Sequence, residues 1–438
     1  MADSTPTDPT APELNSPPPA AEPTAAKPGR PSWFRRFIEF VTTANPFMVS
    51  VLSVFTALVI GAILIVLGNR EVLNEFSYFF AAPGSVLSDA WAAIWSAYSN
   101  LFKGAFFDPS QISGAVSGNN SWAVALRPIS ETLTYATPLI FTGLSVTFAF
   151  RSGLFNIGGQ GQAVIGGILA AVLGFALDLP AVLHIPLVLL GAIVGGGLWG
   201  FIPGILKAKT GAHEVIVTIM LNYIAGNFLL WIITQKGVHD PARSDAISKP
   251  VHDSAVLPKI FGPQDSTLLR THLGLILGLL AAALVAWLIS RSTFGFELRA
   301  VGLNPDAAKT AGMSVPRTYT LAMVIAGALA GLGGAAQVLG TAHTLTAQVT
   351  GNIGFDGITV ALLGRTKPWG TVLGAVVWGA FQAGGNQMQS FAGVTVDLAQ
   401  VLQAVVVLFI VAPALIKAIY HLREDPKARF VTTLAKGW

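Results

Sequence analysis

The sequence predicts an all-α, polytopic transmembrane helical bundle of about ten spans. Three observations predict it. Of the 438 residues, 53% are hydrophobic and 11% charged, less than half the charge of a soluble domain, which carries about 25%; mean hydropathy is +0.63. Apolar runs recur at lengths near the about 20 residues that a spanning helix needs. Lys and Arg are sorted between alternate connections, as the positive-inside rule requires. The chain has no cysteine, so disulfides, thiol catalysis and Cys-based metal sites are excluded. A net charge of +4 does not indicate a nucleic-acid polymer as partner.

Residues 1–32 are rich in Pro, Ala, Ser and Thr. They cannot bury enough apolar surface to offset chain entropy, so a disordered cytoplasmic tail is expected. A membrane domain is expected over 33–420 and a basic cytoplasmic tail over 421–438. Spans are expected at about 45–67, 131–150, 154–176, 182–205, 215–234, 271–290, 318–340, 354–364, 370–388 and 397–416. The 354–364 run is short and suits a half-helix or re-entrant piece. Residues 69–129 read as an extracytoplasmic segment with one or two surface helices, 86–97 being amphipathic. With the N-terminus inside, eighteen of the 26 Lys and Arg residues fall on inside segments, and connections 177–181, 341–353 and 389–396 have none. An even span count returns the C-terminus to the same side. Gly191/Gly195, Gly196/Gly200/Gly204, Gly327/Gly331 and Gly370/Gly374 have the small-xxx-small spacing that lets helices approach closely.

The chain is organised around Arg151–Ala163, RSGLFNIGGQGQA. If this run is helical, Asn156 and Gln160 share a face, and Gln162 lies about 200° round from Gln160. Polar side chains at membrane depth are costly unless a helix or a water-filled path receives them. Asn156, Gln160 and Gln162 are therefore candidates for lining a transport path. Glu214, Thr218 and Asn222 are spaced four apart and form a second polar stripe. Val217 breaks an HExxH zinc motif. Glu214 caps a helix or acts in gating; Asn222, being deeper, is the stronger path candidate. Asp356 lies at the edge of the short span, where it caps a helix or meets a substrate hydroxyl. Gln337, Gln382 and Asn386 line a path or bond a neighbouring helix.

The longest internal inside loop, about 291–317, carries Glu297 and Arg299 and then Asn304-Pro305, a good N-cap and first helical residue. Ala307, Ala308 and Ala311 are expected to form a small flat face, and Gly312 to end the helix. Such a helix suits docking into a partner's groove or serves as a turn between spans. No GxxxxGK[ST] phosphate cradle, GxSxG elbow or metal-ligand cluster occurs. The acidic residues of the expected spans, Glu131, Glu214 and Asp356, all lie near span ends, which favours an external energy source over ion coupling.

FNIGGQGQ (155–162), HEVIVTIMLNYI (213–224), LRAVGLNPDAAKTAGM (298–313) and GFDGITVALLGRTKPWG (354–370), in this order, resemble the membrane permeases of bacterial ABC importers for nucleosides and simple sugars, a group related to the ribose and branched-chain amino-acid permeases. The resemblance spans roughly residues 45–420 and departs at Gln160, where Glu is common. It implies a type II-like importer permease fold in the bacterial inner membrane, with both termini cytoplasmic. It implies a second permease subunit, two cytoplasmic ATPases that hold ATP and Mg, and an extracytoplasmic solute-binding lipoprotein. No cofactor and no bond chemistry are expected in this chain. Glu297, Arg299, Gly302, Asn304, Pro305, Ala307, Ala308 and Gly312 fall in the coupling region. Neutral amides suit a nucleoside, and a simple sugar is the second choice. A self-sufficient ion-coupled carrier and a polytopic enzyme are the alternatives from other classes.

Overall fold

The computed structural model describes residues 46–264 and 266–422. The expected tail over 1–32, the Arg35-Arg36 pair and the basic stretch 423–438 lie outside the described residues. The helices are α1 (Pro46–Gly68), α2 (Arg70–Glu75), α3 (Pro83–Ala105), α4 (Pro109–Val116), α5 (Trp122–Arg151), α6 (Gly159–Ala176), α7 (Ala181–Thr210), α8 (Glu214–Ile232), α9 (Gly274–Arg291), α10 (Thr293–Leu303), α11 (Pro305–Thr310), α12 (Val315–Gln337), α13 (Ile353–Leu363), α14 (Pro368–Ala392), α15 (Val396–Val411) and α16 (Pro413–Ile419). Among the described residues, backbone bridges outside helices are His239 with Ser248 and Lys259 with His272.

Seven helices among the described residues are long and apolar enough to cross a membrane: α1, α5 to α9, and α12 with its extension to Ala342. An eighth is obtained if α15 and α16, bent by 83°, form one broken span. The other segments of the expected ten differ for physical reasons. α13 has only 11 residues, and helix geometry makes it about 16 Å long. α14 has 25 residues, but Gln382, Asn386, Gln387 and Gln389 dilute its apolar character. Pro413, at the start of α16, interrupts the last segment.

The segment 69–129 also differs from its reading as surface helices. Its main helix, α3, has 23 residues and lies along α14. Val86, Ala90, Ala97, Gly104 and Ala105 are buried, while Trp91 and Trp95 are exposed. The amphipathic pattern marks a helix with one face on the bundle. Tyr98 Oη ties it to α1 by donating to Leu58 O at 2.6 Å.

Two large buried clusters hold the centre of the bundle, and two smaller ones join α1 to α3, α14, α15 and α16. Of the large two, one is formed by α6, α7, α8 and α12 with the 233–273 loop, the other by α5, α9, α10, α12, α13 and α14. α5 is the central element, with Phe141, Leu144 and Phe148 almost fully buried. Its hydroxyls bond other elements: Thr147 Oγ1 lies 2.7 Å from Thr371 Oγ1, and Thr142 Oγ1 donates to Ile353 O at 2.8 Å. α7 packs on α12 through close backbone contact. A Cβ on Gly196 would meet Gly331 Cα at 2.8 Å, and one on Gly200 would meet Gly327 Cα at 3.1 Å. Of the expected glycine motifs, Gly196/Gly200/Gly204 and Gly327/Gly331 therefore meet across this contact and gain dispersion energy from backbone approach, whereas Gly191/Gly195 faces α6 and Gly370/Gly374 faces α13.

At the end of the bundle opposite the 291–317 loop, residues 233–273 are stitched across α6 and α12. Leu257 N donates to Leu339 O at 3.0 Å, Val251 N to His343 O at 2.9 Å, and His252 N to Gly174 O at 2.9 Å. His272 is fully buried here. Its Nδ1 accepts from Gly274 N at 3.2 Å, and its Nε2 has no partner among the described residues. Burial first, then the neighbouring His343 and Arg270, push its pKa down to about 4. Unfolded, the same ring titrates near about 6.5, so between these values the unfolded chain binds the extra proton. This contribution is present above about pH 6.5 and is lost as pH falls toward 4, a loss of about 3 kcal/mol. Detergent-solubilised protein is expected to show a falling unfolding temperature over that window, and His272→Gln to flatten the fall. An unchanged slope in the variant would exclude His272 as its source.

Candidate functional site: the α5–α6 turn and its contacts

α5 ends at Arg151, Gly153 turns the chain at φ +73°, and α6 starts at Gly159. Asn156 therefore lies in the turn and not on a helix, and the expected face shared with Gln160 does not form. Asn156 meets Gln162 instead. Its Nδ2 donates to Gln162 Oε1 at 2.9 Å and to Ser145 Oγ at 3.2 Å. Its Oδ1 accepts from Gln162 Nε2 at 3.2 Å and from Gly158 N at 3.0 Å. Asn156 is fully buried and Gln162 is 1% exposed. In this conformation the pair is a closed amide ring presenting no surface to a path. The irregular backbone of FNIG explains the pairing, because buried N–H groups outside a helix need side-chain acceptors.

Gln160 points elsewhere. Its Oε1 accepts from Gly354 N at 2.9 Å, and its Nε2 donates to Gly351 O at 2.6 Å and to Thr350 Oγ1 at 3.1 Å. It thereby clamps the start of α6 to the start of α13. The two N-termini abut so closely that a Cβ on Gly354 would overlap the Gln160 backbone. Asn222 supports the same spot from α8: Oδ1 accepts from Gly161 N at 2.8 Å and Nδ2 donates to Ile157 O at 3.0 Å. Three amides, two of them half-buried, thus converge on one interrupted helix start. A carboxylate at position 160 would keep the bond from Gly354 N but lose the donations to Gly351 and Thr350.

Thr218 is buried and bonds its own helix at Val215 O, 3.1 Å away. Asp356 is half-buried in the first turn of α13. The Trp378 indole faces its carboxyl but falls short of hydrogen-bond geometry. Glu214 pairs with Lys207 at 2.9 Å, joining α8 to α7 at the end of the bundle shared with Arg151. Asn386 donates to Tyr135 Oη at 3.0 Å, so it bonds a neighbouring helix. The structure also exposes Asn352 and Phe355 beside the Gln160 clamp. Sequence reasoning missed both. The signal was their place flanking Gly354 at the start of the short apolar run.

On the loop side, Asn304 Oδ1 accepts from Asp306 N and Ala307 N, capping α11. Gly312 follows at φ +82°. Ala307 and Ala311 are exposed, whereas Ala308 is 4% exposed and turned inward. The expected flat face is thus the 307/311 pair alone, because the 100° rotation per residue carries position 308 toward the bundle. Glu297 and Arg299 are half-buried on α10 and form no ion pair among the described residues. Gly302 rests directly on the α5–α6 turn: a Cβ there would overlap Arg151 O and lie 3.0 Å from Gly153 N. Arg151 Nη2 also donates to Thr366 O at 2.8 Å, beyond the end of α13. The exposed helix α11 and the amide clamp are therefore linked through one turn.

A multi-pass helical membrane protein is defined by these features, with interrupted helices meeting at a polar clamp and an exposed capped helix at one end. Residues 129–411 match the family described as branched-chain amino acid transport system / permease component, and the chain belongs to it. It is 45% identical over 284 residues to the guanosine ABC transporter permease protein NupP of Bacillus subtilis, covering 64% of this chain and 80% of that protein. It is 38% identical over 312 residues to the nucleoside ABC transporter permease protein NupB of Lactococcus lactis, covering 70% and 83%. The glucose ABC transporter permease protein TsgB13 of Haloferax volcanii is 32% identical over 297 residues, covering 66% and 77%. No solved structure matches the chain.

Proposed function

We propose that this chain is the nucleoside-path subunit of an ATP-binding-cassette importer in a bacterial inner membrane, with both termini cytoplasmic. It does no bond chemistry. A second permease completes the path, two ATPase subunits hold ATP and Mg, and an extracytoplasmic binding protein delivers solute. The 45% identity to a guanosine permease carries the substrate reading. The exposed α11 supports the coupling reading, since its capped, small-residue face fits a groove on an ATPase. In this scheme ATPase closure pushes α10 and α11, and Gly302 passes the displacement to the Arg151–Gly153 turn. The α6/α13 clamp at Gln160 then shifts with Asn222, while the Asn156–Gln162 ring keeps the turn rigid. The path alternates between two accessible states as the helices rock. Asn352, Phe355 and Asp356 border the clamp and are the side chains placed to meet solute.

Ala307→Trp is the direct test of coupling, because Ala307 is exposed and its replacement leaves the bundle untouched. Purification with the ATPases and uptake of labelled guanosine into vesicles are measured together. Normal insertion with uptake lost at least about tenfold is expected, a change equal to about 1.4 kcal/mol. Unaffected uptake would sink the assignment of α11. The glucose permease relative keeps a sugar reading in view; competition by unlabelled glucose but not by guanosine would favour it. Uptake by this chain alone, driven by an ion gradient, would replace both with a secondary carrier.

A further inference from the structure

A polar cavity of about 390 Å³ opens at the end of the bundle opposite α11, between α3, α4, α5 and α14. Its walls come from two sources. Lys103, Asp108 and Arg127 belong to residues that precede the family match, which starts at 129. Glu131, Arg270 and Gln387 belong to the matched region. The charges do not cancel within it. Arg270 Nη1 is paired with Glu131 Oε2 at 3.1 Å. Asp108 Oδ1 is engaged at the start of α4, accepting from Ser110 N at 3.0 Å and Ser110 Oγ at 2.8 Å. Lys103 and Arg127 have no hydrogen-bond or ion-pair partner among the described residues, and with Arg270 they set three cations against the carboxylates of Asp108 and Glu131, so positive charge is in excess in the cavity.

The surroundings of the mouth are apolar and aromatic. Phe391 lines the cavity and is 68% exposed. Phe102, Phe106 and Phe107 flank Lys103 in sequence, all exposed, with ring centroids of Phe102 at 5.2 Å from Phe106 and 5.3 Å from Phe107. Exposed Trp122 begins α5. Cations without a direct partner, close in sequence to exposed aromatic side chains and at the end of a spanning helix, match the membrane–water boundary, where lipid headgroups lie. A neutral nucleoside has no use for the excess positive charge, and the exposed Phe391 in the lining suits an acyl chain better than a soluble anion.

We propose that this cavity is a binding site for the phosphate-bearing headgroup of an anionic membrane phospholipid, held by Lys103 and Arg127, with the acyl chains lying over Phe391 and the Phe102–Phe107 cluster. The site is independent of the transport reading above. It gives the helices before residue 129 a role: they complete a lipid cleft against α14 that the matched region alone lacks.

The test uses the full chain reconstituted in phosphatidylcholine vesicles containing a minor fraction of phosphatidylglycerol, then extracted in mild detergent. Retained lipids are counted by native mass spectrometry. Enrichment of phosphatidylglycerol over its share of the vesicle is expected. Lys103→Gln/Arg127→Gln is expected to reduce that enrichment about thirtyfold, the loss that two interfacial cations imply. Lys103→Arg/Arg127→Lys is expected to keep it, and unchanged unfolding temperatures in both double variants separate binding from folding. Equal retention of the two lipids, or an unchanged preference in the Gln variant, overturns the proposal. Inorganic phosphate supplies the other arm: if it displaces the bound phosphatidylglycerol, the site takes a soluble anion and the lipid assignment fails. Displacement by guanosine would instead make the cavity part of the solute path and equally overturn it.

Discussion

Gly331→Leu is expected to leave almost no monodisperse protein in the membrane fraction. The side chain would enter the α7–α12 crossing, where a Cβ on Gly331 already overlaps Ala192 O and lies 3.1 Å from Gly196 Cα. Those neighbours are backbone atoms of α7 and cannot rotate aside. Overpacking of a well-packed core costs about 1–3 kcal/mol where side chains can adjust, and more where two helices must separate. Separation here would also strain the bond between Leu257 of the 233–273 loop and Leu339. Gly226→Leu on α8 is the matched control, because nothing lies within 4 Å of its Cβ position. Size-exclusion profiles of the two variants should diverge sharply. A monodisperse Gly331→Leu with an unchanged unfolding temperature would mean that α7 and α12 are not in this contact.

Asn156→Leu is expected to give the second large loss, about 3–5 kcal/mol from several buried polar groups left unsatisfied. The substitution strands Gly158 N–H and both ends of the Gln162 amide, all of which now bond Asn156. Gln162→Leu should cost a similar amount for the same reason. The double variant is expected to cost clearly less than the sum, since each change removes the other's orphan. Additive losses, measured by thermal unfolding in one detergent, would show that the two amides do not hold each other. Uptake should fall with stability in both, which distinguishes a scaffold ring from a pair that touches solute.

The bundle was legible in the sequence because its driving pattern is coarse. Long apolar runs, basic connections and paired glycines survive errors of several residues at each boundary. α11 was legible in more detail, since Asn304, Pro305 and Gly312 act locally through cap, fixed φ and left-handed turn. What sequence could not supply was the interruption of helices. A helix through FNIG would put Asn156 beside Gln160; the turn there puts it beside Gln162 instead. The backbone there gives up its own ladder: Gly158 N–H donates to Asn156, two positions away, and Gly161 N–H to Asn222, 61 positions away. The amphipathic pattern of α3 is visible in sequence, but whether its apolar face meets lipid headgroups or α14 is not. The half-length of α13 was visible, but not the clamp that makes a half-helix tolerable.

The abutting starts of α6 and α13 carry an electrostatic consequence. Each helix N-terminus presents about half a positive charge, and here two face each other in apolar surroundings. The amides of Gln160, Asn222 and Asn156 satisfy the exposed N–H groups without adding negative charge. A glutamate at position 160 would cancel much of that field. With glutamine the compensating charge is left to Asp356, in the first turn of α13. The charge balance of this junction therefore rests on position 356 and not on position 160, so Asp356→Asn removes the one formal negative charge in the first turns of the two abutting helices.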